Sequence, residues 1–87
     1  MDDSKLLELA GLASSETYTQ KRNPLECDDL ALRLAVKLRI GFGIDDWGAE
    51  AVFGEGDAVL EENITDPYAA TRRAITRAAA EIGDGMK

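Results

Sequence analysis

Three groups of residues could do chemistry in this chain: the adjacent carboxylates Asp45-Asp46, the adjacent carboxylates Glu61-Glu62, and the arginines Arg72, Arg73 and Arg77. Paired carboxylates can hold magnesium or share a proton. These pairs match no calcium-loop spacing, and in a strand neighbouring side chains point to opposite faces, so adjacent acids do not converge. They read as a solvated acidic edge of the kind that discourages unwanted strand pairing. Two or three arginines could grip a phosphate or nucleotide bidentately. Arg73 and Arg77, spaced i, i+4, share one helix face. The plainer reading pairs the arginines with the acidic β segment beside them, or leaves them in solvent.

The rest of the inventory removes options. The chain has no histidine, so imidazole catalysis and imidazole metal ligation are absent. Cys27 is the only cysteine, which excludes an internal disulfide and a thiolate metal cage within one chain. It lies among apolar residues and reads as a small core side chain. Gly41-Phe42-Gly43 is similar to part of a phosphate-binding fingerprint, but it follows a helical pattern and no base or helix start comes next. The expectation is a protein with no catalytic residue, metal or cofactor, one that binds rather than transforms.

What it binds is constrained by charge. The net charge is −7, and the segment 45–66 carries eight acids and no base. That balance disfavours nucleic acids and membrane surfaces, which are polyanions, and favours a protein partner with a basic surface. The same charge also keeps a small protein in solution. The candidate partner-binding residues are Asp45, Asp46, Trp47, Glu50, Glu55, Asp57, Glu61 and Glu62. Trp47, flanked by acids, is an interface anchor if exposed and a core residue otherwise. The arginines Arg72, Arg73 and Arg77 are the candidate phosphate-binding set of a rival reading, a nucleotide-binding sponge built at an oligomer interface, with Tyr68 or Tyr18 stacked on the base.

The elements that must position these groups follow from hydrophobic period. With 87 residues, 45% hydrophobic and 31% charged, the chain 1–87 is one domain. Such a domain buries only about 60–65% of its unfolded surface, so it has one small core. Residues 3–13 predict a short helix with Asp3 as N-cap and Leu6, Leu9, Ala10 and Ala13 on one face. Residues 14–23 read as a loop. Asn23-Pro24 predicts the start of a second helix, with Glu26 completing a capping box and Asp29–Arg33 paired at i, i+4. Its broad apolar surface over 24–38 predicts a central helix and leaves a homodimer open. After Leu38 the period drops to two. Strands are predicted at 39–44, 48–53 and 57–62, the last with Ala58 and Leu60 on one face, forming an antiparallel meander. For Ala49–Phe53 a short helix is the alternative. Asp66-Pro67 starts a final helix with an alanine-rich face, stopped at Gly83 and followed by a frayed tail DGMK. The fold class is α+β: two N-terminal helices, a small three-stranded antiparallel sheet and a C-terminal helix packed on it.

Three blocks, KLLELAGLA, NPLECDDLALRLAVKL and DPYAATRRAITRAAAEIG, covering roughly half of the chain, resemble a group of small uncharacterised proteins of tailed phages and prophages. The resemblance implies a phage or prophage accessory protein. It carries over no activity and no site residue. Small, acidic, dispensable phage proteins often act by binding host machinery, defence systems included. Inhibition of a host defence or gene-expression factor in the host cytoplasm is the expectation that follows.

Overall fold

The computed structural model describes residues 2–62 and 65–86. The chain runs α1 (Asp3–Ser14), α2 (Asp28–Leu38), β1 (Gly41–Asp45), β2 (Gly48–Phe53), β3 (Asp57–Glu62) and α3 (Pro67–Asp84). The strands form one antiparallel sheet in the order β1-β2-β3. This is the expected α+β fold, and Ala49–Phe53 is strand rather than helix. Among the described residues no helix is long and apolar enough to cross a membrane.

The central helix is α3, not α2. It packs against every other element. Its buried residues, Ala70, Ala74, Ile75, Thr76, Ala78, Ala79, Ala80 and Gly83, spread round much of its circumference. Alanine at these positions lets backbones approach from several sides, so one helix receives the sheet, α1 and α2 together. The width of α2's apolar surface misleads because only Ala31, Leu34 and Ala35 are buried there, while Leu32 and Val36 face solvent. Leu6, Leu9 and Ala80 form a satellite core between α1 and α3. Gly83 is not a helix stop. It lies inside α3, where a Cβ would overlap the Leu9 carbonyl, and the helix ends at Asp84 with Gly85 as cap.

Local capping follows the sequence in one place and departs from it in others. Asp66 accepts from the Ala69 amide at 3.1 Å and Pro67 opens α3, as expected. On α1 the cap is Asp2, which accepts from the Lys5 amide at 2.8 Å, one residue before the expected Asp3. The larger correction concerns α2. Asn23-Pro24 does not begin it; the helix starts at Asp28 behind Cys27. Asn23 is buried and spends its side chain on the preceding loop. Its amide donates to the Thr19 and Gln20 carbonyls at 2.7 and 3.1 Å, and its Oδ1 accepts from the Leu25 amide at 2.9 Å. An asparagine able to satisfy a turn on both sides wins over its role as a helix cap. Cys27 becomes a half-buried N-cap position rather than a core residue.

Asp29 pairs with Arg22 at 3.0 Å across the loop, not with Arg33 one turn on. The hydrogen bond from Arg22 holds the Asp29 carboxyl below its ordinary range, opposed by a smaller desolvation effect. A depressed folded-state pKa gives a contribution that is present above the unfolded value and lost as pH falls through the folded one. Carbon-detected NMR titration is expected to place Asp29 below an unperturbed aspartate, and Arg22→Ala to return it upward. An Asp29 titration unchanged by Arg22→Ala rules out the pair.

Candidate functional site

Sheet register sorts the acids. Gly48 pairs with Asp45 on one side and Glu62 on the other, and Glu50 pairs with Gly43 and Leu60. With side chains alternating, Asp45, Glu50 and Glu62 lie on the sheet face away from α3, beside Val52, Ala58 and Leu60. The opposite face carries Ala49, Ala51 and Val59, all buried against the helices. Val59, not Ala58 or Leu60, is therefore the core residue of β3. Leu60 is 54% exposed and Val52 39%. No described element covers this outer face, so two apolar side chains stand in water beside three carboxylates.

The other candidate acids are dispersed. Asp46 and Trp47 form the β1–β2 turn at the acidic end, with Trp47 partly exposed at 39%. Glu55 and Asp57 lie at the β2–β3 turn, the far end of the sheet. Glu61 points the other way, onto α3, where Arg77 holds it at 2.7 Å and Arg73 at 3.6 Å. The sequence hides this division because eight acids in one run give no indication of which carboxyl faces inward.

The arginines do not converge into one cradle. Arg72 donates Nε to the Leu25 carbonyl at 2.9 Å and Nη1 to Asp28 at 2.6 Å, fastening the start of α2 to α3. Arg73 reaches Asp3 at 2.9 Å, tying α1 to α3 while also facing Glu61. Arg77 donates to the Leu60 carbonyl at 2.9 Å and to Glu61, tying β3 to α3. Arg72 serves α2, Arg73 serves α1 and Arg77 serves β3, and the last two also share Glu61. The plainer sequence reading, pairing with the acidic β segment, holds at Glu61 alone; Asp28 and Asp3 are partners it did not include. Tyr68 is exposed, while Tyr18 packs on the core and shares a 3.3 Å hydrogen bond with Ser14.

One feature was missed from sequence. An apolar groove of about 460 Å³ opens between the first turns of α2, the start of α3 and β1. Phe42 and Ile44 form its β1 wall, Leu32 and Tyr68 flank it, and Ile75 lies at its base. The signal was the excess apolar width of α2, which the core does not use. Among the described residues no group of three or more histidine, cysteine, aspartate or glutamate side chains is placed to hold a metal ion. Comparison with protein-family models, curated proteins and solved structures returns no match for this chain.

Proposed function

We propose that this chain is a non-enzymatic accessory protein of a tailed phage or prophage that acts by binding a host protein with a basic surface. Inhibition of a host defence or gene-expression factor in the cytoplasm is the form of this reading that the phage resemblance supports. The observation that carries the binding role is the uncovered sheet face, with Val52 and Leu60 exposed beside Asp45, Glu50 and Glu62. The apolar pair supplies area to desolvate, and the acids supply steering and register toward lysine and arginine. The Asp46-Trp47 turn extends the same end of the surface.

The test is capture from host lysate with paired charge reversals. Wild-type protein is expected to retain a basic protein whose binding weakens with added salt. Glu50→Lys with Glu62→Lys is expected to weaken that binding at least about tenfold, through loss of steering and new like-charge contacts. Glu55→Lys with Asp57→Lys, at the far end of the sheet, is expected to leave it nearly unchanged. Capture indifferent to the Glu50/Glu62 reversal overturns the proposed surface. Glu61→Lys is unsuitable as a probe, because it repels Arg73 and Arg77 and loosens β3 from α3.

A further inference from the structure

The two edges of the sheet are built differently. At the β3 edge, Arg77 reaches round from α3 and donates to the outward Leu60 carbonyl, and Asp57 and Glu62 add charge. Charge and side-chain cover of this kind are how proteins prevent a strand edge from pairing. The β1 edge has no proline, an unbroken register with β2, no described side chain bonded across its backbone and a single charge, Asp45, at its last residue; Gly41-Phe42-Gly43-Ile44 is uncharged.

The direction of its backbone groups follows from the hairpin. Asp45 and Gly48 close a two-residue turn, so they are a hydrogen-bonded pair, and Gly43–Glu50 and Gly41–Val52 repeat that pattern. Phe42 and Ile44 therefore turn their N–H and C=O groups toward the open edge. Their side chains share the face of Ala51 and Ala49, toward the helices, yet remain 44% and 56% exposed on the groove wall.

We propose that β1 pairs antiparallel with β1 of a second copy, about a two-fold axis through Gly43. This goes beyond the partner-binding reading and does not depend on it. In that register Phe42 lies opposite Ile44 of the second copy, and both present their free backbone groups to each other. Gly43 falls at the non-hydrogen-bonded position, where opposed Cα atoms approach to about 4.5 Å. The absence of a Cβ suits that approach. The aromatic and β-branched side chains make cross-strand pairs on the helix side, the favourable combination in sheets. Leu32 and Tyr68 of each copy flank them.

Charge selects the direction of pairing. Arg39, exposed and in the left-handed region at φ 57°, stands at one end of the strand, and Asp45 and Asp46 stand at the other. Antiparallel pairing sets Arg39 of one copy beside Asp45-Asp46 of its mate; parallel pairing sets like charges together. The interface is isologous, as a two-fold requires. Two three-stranded sheets become one of six strands, and the two acidic outer faces become continuous.

Sedimentation equilibrium of the purified full chain, with no partner present, tests the pairing. Wild type is expected at twice the 9.4 kDa chain mass at micromolar concentration. Gly43→Lys puts two ammonium groups directly opposite each other and is expected to sediment at the chain mass. Its circular dichroism is expected to be unchanged, because a Cβ at Gly43 meets nothing within 4 Å. Gly43→Cys in a Cys27→Ser background is expected to form a disulfide-linked dimer on mild oxidation. A wild type that sediments at the chain mass overturns the proposal and leaves the edge to a strand of another protein. A Gly43→Lys variant that stays at twice the mass, or a Gly43→Cys variant that does not crosslink, overturns the register.

Discussion

Gly83→Ala is expected to destabilise the protein by about 3 kcal/mol, although helix propensity alone predicts a gain of about 1 kcal/mol. Gly83 sits in the last part of α3, where the backbone of α1 crosses it, and an added methyl group would overlap the Leu9 carbonyl oxygen and crowd its carbon. Those are backbone atoms of a helix that is itself anchored by fully buried Leu9, so neither side can yield cheaply. Gly85→Ala is the control. Gly85 has helical φ and its Cβ would meet the Ile82 carbonyl at 3.5 Å, an ordinary contact, so a change within about 0.5 kcal/mol is expected. Urea unfolding followed by circular dichroism reads both. A midpoint for Gly83→Ala at or above wild type would show that α1 does not cross α3 there.

Leu34→Ala is expected to cost about 3–4 kcal/mol. Leu34 is the one large side chain of α2 that is fully buried; its buried companions Ala31 and Ala35 are small. The other anchors of α2 are partly buried Leu38 and a polar contact at its start, where Arg72 holds Asp28 and the Leu25 carbonyl just before the helix. Removing three carbons from this position leaves a cavity against α3 that alanine-lined walls fill poorly. A domain of this size has a total stability of about 5–13 kcal/mol, so the loss is a large share of it. Thermal unfolding is expected to fall by roughly 4–8 °C for each kcal/mol. A shift of only a degree or two would place α2 outside the cooperative core. Leu32→Ala, on the exposed wall of the groove, is the contrasting substitution and is expected to change stability little.

The contrast between Leu34 and Leu32 shows where local pattern stops being informative. Arg33 separates them, and helical spacing puts Leu34 with Ala31 and Ala35 on one face and Leu32 to its side, but it cannot say that α3 covers the first and leaves the second beside a groove. The same holds for the acids. Period-two alternation places Glu61 and Glu62 on opposite faces, but which face meets α3 depends on the pairing of Val59 with Ala51. Asn23 carries a strong helix-start signal, yet a loop that offers two carbonyls and an amide within reach claims its side chain first.

The order of elements, the Asp66-Pro67 start of α3 and its alanine face were written in the chain, because each depends on residues close together in sequence; Ala49–Phe53 fitted a strand or a short helix, and pairing with β1 and β3 on both sides made it a strand. Capping, turn chemistry and hydrophobic period act over a few residues and do not need the rest of the fold. Tertiary structure alone decided that α3 rather than α2 is central, that Gly83 is a crossing point, and that the three arginines fasten α2, α1 and β3 to α3, two of them through a shared Glu61. It alone left β1 with an open edge above an apolar groove. Those outcomes depend on which surfaces meet across long sequence separations, and a single chain's local preferences contain no record of that choice.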